Sequence, residues 1–239
     1  YIQLAQLCRA NQVDFLASVW DVSALEWIDP YLPFYKIGSG DLTAYPVLKK
    51  IAAMDKPILL SIVLSTMAEV TATVNFLQSL DTRYGSKDYL ALLQCTSMYP
   101  IPDSDANLNV ISELRSKFNL PIGYSDHTIG SEAAEVAVAM GAEIIEIHFT
   151  DSRDGKIFRD HQVSFTKDEI AALIHKIQRI HALQGDAEKV LTTSELAADH
   201  VVSFRRAVYP TRNIPAGTAI TATDLCVLRP NNGIDARDF

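Results

Sequence analysis

Six short apolar runs, each followed by an amphipathic stretch, constrain this chain more than any other feature. "VDFLAS" (13–18) leads into "VSALEWI", "FYKIG" (34–38) into "YPVLKKIAAM", and "PILLSIV" (57–63) into "STMAEVTATVNFLQSL". "YLALLQC" (89–95) leads into "LNVISELRSKF", "LPIGYS" (120–125) into "SEAAEVAVAMG", and "AEIIEIHF" (142–149) into "KDEIAALIHKIQRIHALQG". Near-continuous apolar strands separated by helices are what a parallel sheet covered on both faces requires. Six β/α units at this spacing predict most of a (β/α)8 TIM barrel. A doubly wound open sheet is the rival fold, because spacing alone does not order the strands. With 239 residues, 48% of them apolar, the chain can fill the core of one large α/β domain with a small appendage.

Beyond about Leu183 the alternation stops. A connecting helix is expected first, then short strands between turn signals at Pro215, Gly217 and Asn231-Asn232-Gly233. The expected organisation is a barrel over 1–187, a linker over 188–200, and the opening of a small β-rich domain over 201–239, too short to close a core of its own. A net charge of -8 argues against a nucleic-acid or anionic-membrane surface. Cys8, Cys95 and Cys226 form no CxxC and no disulfide framework, which fits a reducing, cytoplasmic setting. The apolar runs are far shorter than a membrane span. No signal peptide is visible, and the abrupt opening "YIQLAQLCRANQ" without Met is expected of a fragment.

Polar residues gather directly after the apolar runs: Ser18 and Asp21, Ser39 and Asp41, Ser61, then Thr96, Ser97 and Tyr99, then Ser125, Asp126 and His127, then His148 and Thr150. Taken singly, each is a turn residue or a helix N-cap. In a parallel barrel the strand C-termini meet at one face, where the active site lies, so agreement among six strand ends points to one pocket. His127 and His148 end consecutive runs, so their backbones stand about 5 Å apart as neighbouring strands. A lone histidine there is more often structural, but two can share a divalent ion, and neutral imidazole suits Mn, Fe, Zn or Co. His161 belongs to a third polar cluster, "FRDHQVS", just beyond the last run; the remaining His175, His181 and His200 are assigned no role.

"YKIGSGD", "LLQCTSMYP", "NLNVISELRSKFNLPIGYSDHTIG" and "GAEIIEIHFT…FRDHQVSFTKDE" resemble the sialic acid synthase family, and "AVYPTRNIPAGTAITATDLCVLRPNNGI" resembles the start of its C-terminal antifreeze-like (SAF) domain. The resemblance runs in order along nearly the whole chain. It implies a TIM barrel whose first two strands precede Tyr1. It implies condensation of phosphoenolpyruvate with an N-acetylated hexose, such as N-acetylmannosamine, to a nine-carbon 2-keto sugar acid. It further implies a divalent metal, Mn or Mg, and a homodimer in which the small domain of one chain caps the barrel of the other.

Residue by residue, the resemblance makes His127 and His148 metal ligands. Ser18, Lys36, Ser39, Ser61, Ser97 and Ser125 become phosphoenolpyruvate contacts. Asp41, Tyr99, Asp160 and Arg229 become sugar contacts, with Arg229 reaching the N-acetyl group from the neighbouring chain. Lys36, Asp41, Tyr99 and Asp160 are the catalytic candidates. Three segments depart from the pattern. The family's "LSTGM" reads Leu60-Ser61-Ile62-Val63-Leu64, and Val63 adds bulk where a backbone approaching phosphate wants glycine. Ile147 stands where a basic residue is usual, which would remove a charge near an anionic ligand. Arg159, in "FRDH", offers a replacement for some of that charge. Two function classes compete: a sugar-acid synthase, and a degenerate, non-catalytic member that binds a sugar phosphate or a protein partner. Another metal-dependent barrel enzyme, such as an aldolase, stands third.

Overall fold

Five of the apolar runs form strands: Tyr35–Ile37 (β1), Ile58–Ser61 (β2), Leu90–Gln94 (β3), Ile122–Ser125 (β4) and Ile144–Glu146 (β5). The computed structural model spans residues 1–239 and describes all of them apart from the side chain of Ser39. The strands pair in parallel and in chain order, β1-β2-β3-β4-β5. An order that never reverses keeps each right-handed crossover on the same side. The helices therefore cover one face, and the sheet curls around the other as a half-barrel. This removes the doubly wound alternative, whose strand order reverses at a switch point. Closure into eight strands is not seen among the described residues.

The sixth expected strand, 13–18, is reduced to one parallel bridge between Ser18 and Lys36. Val13 and Leu16 remain 59% and 37% exposed, so little apolar burial holds a ladder in place there. At the opposite edge a single parallel bridge joins Phe149 to Phe165.

The strand period of two sorts the side chains. On the outer face, Tyr35, Ile37, Ile58, Leu60, Leu90, Leu92, Ile122 and Tyr124 belong to the main core. They share it with Leu48 and Ile51 of helix Tyr45–Ala52, with Val70, Val74 and Leu77 of helix Met67–Leu80, and with Ile111 and Leu114 of helix Asn109–Lys117. A smaller cluster of Ala134, Phe165 and Leu173 joins helices Glu132–Ala139 and Lys167–Gln184. Thr66 with Glu69, and Thr166 with Glu169, form reciprocal capping boxes that start two of the long helices.

The alternate residues face inward. Leu93 and Ile144 crowd Gly123 so closely that a Cβ there would stand 2.4 Å from Leu93 Cδ2 and 2.5 Å from the Ile144 carbonyl oxygen. The carbonyl is backbone and cannot swing away, so glycine is required where β3, β4 and β5 meet.

Tyr1–Gly185 and Asp186–Phe239 are two separate compact units. In the second, residues the sequence assigns to a linker carry the helix Thr193–Ala197, followed by helix His200–Phe204. Ala207–Pro210 (β6) pairs antiparallel with Leu225–Leu228 (β7). Arg212 pairs with Asp224 at 2.5 Å. Ala207 and Asp224 are its buried residues, so this unit has almost no apolar core within the chain. No described helix is long and apolar enough to cross a membrane.

Candidate active site

Inward-facing side chains at the C-terminal ends of the strands build the site. Lys36 rises from β1, only 12% exposed, and its Nζ donates to Ser61 Oγ at 2.9 Å and pairs with Glu146 Oε2 at 3.3 Å. Ser125 Oγ donates to Glu146 Oε1 at 2.6 Å. Ser61 and Ser125 are buried. One carboxylate, on β5, thus gathers a cation from β1 and a hydroxyl from β4. A half-buried ammonium is tolerated because both of its contacts can accept.

Two residues further along the chain stand the histidines. Ser125 and His127 share a face, as do Glu146 and His148, because each pair is two residues apart. The imidazole centroids are 5.1 Å apart, with the planes at 61°. Tyr99 stacks on His127 at 4.1 Å and meets His148 edge-on at 5.6 Å. His127 Nδ1 lies 3.0 Å from the Thr96 carbonyl oxygen. That oxygen can only accept, so Nδ1 carries the proton and Nε2 keeps its lone pair. Burial holds the His127 pKa below the ordinary imidazole value, which keeps the ring neutral at pH 7. His148 Nδ1 faces Asp160 Oδ2 at 4.0 Å. A carboxylate on the Nδ1 side of a histidine leaves Nε2 as the nitrogen that can face a ligand. Asp160 Oδ1 is buried without a hydrogen bond; Arg159 Nε approaches it at 3.4 Å but is not aligned to donate. Burial also raises the Tyr99 pKa, so its hydroxyl keeps its proton at neutral pH.

Two donors here fit a divalent cation: a neutral imidazole with a free Nε2, and a second imidazole whose ring centroid stands 5.1 Å from the first. No set of three or more His, Cys, Asp or Glu side chains is grouped as metal ligands among the described residues, so water or substrate would complete the shell.

The structure therefore brings Lys36, Ser61 and Ser125 together, and Tyr99, His127, His148 and Asp160 beside them. It does not join every candidate to these clusters. Ser18 is exposed and meets Lys36 through backbone pairing. Ser97 is exposed, and neither it nor Asp41 makes a side-chain hydrogen bond to a described residue. The side chain of Ser39 lies outside the described residues. Arg229 sits in the second unit, its Cζ 5.7 Å from the Phe204 ring centroid.

Of the departures, Ile147 packs on the outer cluster with Phe165 and Leu173. It falls between Glu146 and His148, and the strand period turns it to the opposite face. At the other altered segment, Val63 is buried, and the left-handed backbone falls one residue later, at Leu64 (φ 54°), which is 83% exposed.

Two residues escaped the sequence reading. Glu146 carried a usable signal, since a lone acid within an apolar strand needs a buried partner. Cys95 shares the inner face, with Sγ 3.6 Å from His127 Nδ1, and burial pushes its pKa up to about 11, so it stays a thiol.

Comparison with known proteins identifies the family. The model of the NeuB family matches residues 1–189. An N,N'-diacetyllegionaminic acid synthase from Campylobacter jejuni is 34% identical over 95% of this chain and 66% of its own length. An N-acetylneuraminate-9-phosphate synthase from Drosophila melanogaster is 33% identical over 100% of this chain and 69% of its own. The crystal structure of an N-acetylneuraminic acid synthetase from Leptospira borgpetersenii, in complex with citrate, superposes with a TM-score of 0.74 at 31% identity, covering 82% of this chain and 68% of that one. The chain thus spans about two thirds of the length of the curated relatives it matches.

Proposed function

The chain belongs to the NeuB family, and on that premise we propose that it forms part of a sugar-acid synthase. The reaction condenses phosphoenolpyruvate with an N-acetylated hexose, such as N-acetylmannosamine, to a nine-carbon 2-keto sugar acid and releases phosphate. The observation that carries this reading is the inner face itself: a half-buried cation and two buried hydroxyls stand one strand pleat from a pair of neighbouring imidazoles.

Each part has a task in that chemistry. Carbon 3 of phosphoenolpyruvate must bond to the aldehyde carbon, leaving positive charge at carbon 2, where water adds and phosphate departs. Lys36, Ser61 and Ser125 supply donors for the carboxylate and phosphate, and Ser18, Ser39 and Ser97 are assigned to the same substrate. His127 and His148 would hold a divalent cation, with Mn better suited than Mg to imidazole. When bound, the cation polarises the aldehyde oxygen as a Lewis acid. Tyr99, with its proton retained, Asp41 and Asp160 position the sugar hydroxyls. In the same proposal the protein is a cytoplasmic homodimer. The antifreeze-like domain of one chain closes the site of the other, excludes water, and brings Arg229 to the acetamido oxygen.

The test is phosphate release when the full-length protein is mixed with phosphoenolpyruvate, Mn and a panel of N-acetylated hexoses. Release that requires both metal and sugar is the expected result. No release with any sugar, from metal-loaded and folded protein, would contradict the proposal. Whether the acceptor itself is phosphorylated divides the relatives by name.

A further inference from the structure

Arg159 is the basic residue of the stretch 151–160 whose charge is least committed. Arg153 makes two hydrogen bonds to Glu169, at 2.9 and 2.7 Å, and a third to the Ser164 carbonyl at 2.7 Å. Lys156 is paired with Asp151. The Arg159 guanidinium makes no hydrogen bond to any described residue, and its nearest carboxylate contact is the misaligned Nε approach to Asp160 at 3.4 Å. Its Cζ lies over the Tyr99 ring, 4.6 Å from the centroid, while Tyr99 stacks on His127. Stacking fixes the guanidinium while leaving its planar donor fork available. A fork held beside a polar site, with its side chain 64% exposed, suits a planar, bidentate grip on an anionic oxygen pair.

Its place relative to the deeper cation decides which substrate it meets. Lys36 contacts Glu146, whereas Arg159 is reached past His148 through Asp160. His148 lies two residues beyond Glu146, about 6–7 Å further along the strand direction. The phosphoenolpyruvate anions are assigned to the Lys36 end, and the acceptor aldehyde to the imidazoles. The remaining length of the acceptor then runs outward past Tyr99, towards Arg159. Resting on the synthase reading, we propose that the acceptor carries a phosphate monoester at the end remote from its aldehyde, and that Arg159 binds this phosphate and sets the preference for it. Lys36 pairs with Glu146 and Arg159 Nε with Asp160, so each end of the site holds one ion pair, and at the mouth the Arg159 Nη groups make no hydrogen bond to a described residue.

The experiment uses the full-length, Mn-loaded protein with N-acetylmannosamine and with its 6-phosphate. The wild type should show a kcat/KM for the phosphorylated sugar at least 30-fold above that for the neutral one. Arg159→Ala should lower the phosphorylated value by 30-fold or more, mainly through the KM of the sugar. It should move the KM for phosphoenolpyruvate less than threefold, and Arg159→Lys should recover part of the loss. Overturning results are a wild-type preference for the neutral sugar, an equal loss on both sugars, or a loss that appears in the KM for phosphoenolpyruvate. The last would mean that the arginine serves the other phosphate. Calorimetric titration of the 6-phosphate into metal-loaded protein separates this idea from the synthase reading. If no sugar is turned over, yet the 6-phosphate binds at least tenfold more weakly to Arg159→Ala, the subsite stands and the reaction does not. Equal binding to both proteins sinks the subsite.

Discussion

The two faces of the same five strands are built to different rules. Tyr35 is fully buried on the outer face, where its hydroxyl donates to Asp29 Oδ1 at 2.7 Å within a packed apolar core. Lys36, the next residue, points inward to Ser61 and Glu146. Apart from Gln94 at the end of β3, the outer face is apolar and packs against helices. The inner face is apolar at Leu59 and Leu93, then polar from Ser61, Ser125 and Glu146 to the histidines. Fold stability and chemistry therefore alternate residue by residue along one strand. Substitutions one position apart should separate the two properties cleanly.

The largest effect tests the inner face. His127→Ala should lower turnover of the full-length protein by more than about a thousandfold, the several kcal/mol that a Lewis acid contributes. Phosphate release is the readout, and Mn titration should show binding lost with it. Retained Mn-dependent turnover would break the assignment. On the outer face, Leu92→Ala should cost about 3 kcal/mol of stability in a urea titration, because Leu92 is wholly buried among helix-facing residues. The KM for phosphoenolpyruvate of the folded fraction should stay within twofold; a large rise would mean that the faces are coupled.

Glu146→Gln sharpens the comparison within the site. Glutamine keeps an acceptor for Ser125 but removes the charge that occupies Lys36. Phosphoenolpyruvate should bind about three- to tenfold more tightly, roughly 1 kcal/mol, as measured by calorimetry. Weaker binding would mean that Glu146 holds Lys36 in place for the substrate instead of competing with it.

The smallest effect is a pH slope. The folded protein holds the His127 pKa below its unfolded value of about 6.5. Below that pH the unfolded chain binds more protons, so stability is full above about 6.5 and declines as pH falls. In metal-free protein, His127→Gln should flatten part of the fall in urea midpoint between pH 7 and pH 5. An unchanged slope would place the titration elsewhere.

These particulars show what could be read without coordinates. The apolar runs marked β1 to β5 because buried parallel strands need little else, and the polar residues after them marked the site. The run 13–18 looked equally strand-like, but strand formation also needs burial, which its exposed Val13 and Leu16 lack. The winding direction was not legible, since pairing order depends on contacts distant in sequence. Ile147 and Glu146 show the cost of ignoring parity: the period of two puts Glu146 in the site with His148 and sends Ile147 to the helices. Arg159 could be named as a charge, but its seat on Tyr99 depends on a loop meeting a distant strand end.

Calorimetric binding of phosphoenolpyruvate to the wild type, Lys36→Met and Tyr35→Phe tests the central claim most directly, because the two substitutions are neighbours on β1 and face opposite ways. The account predicts that Lys36→Met weakens binding by about 30-fold or more, the loss of a charge-assisted contact worth about 2 kcal/mol. It predicts that Tyr35→Phe loses about 1 kcal/mol of stability with its hydrogen bond to Asp29, while its affinity stays within twofold of the wild type. Equal affinity in all three proteins, or a larger loss of affinity in Tyr35→Phe than in Lys36→Met, would contradict the division of the sheet into a structural face and a chemical one.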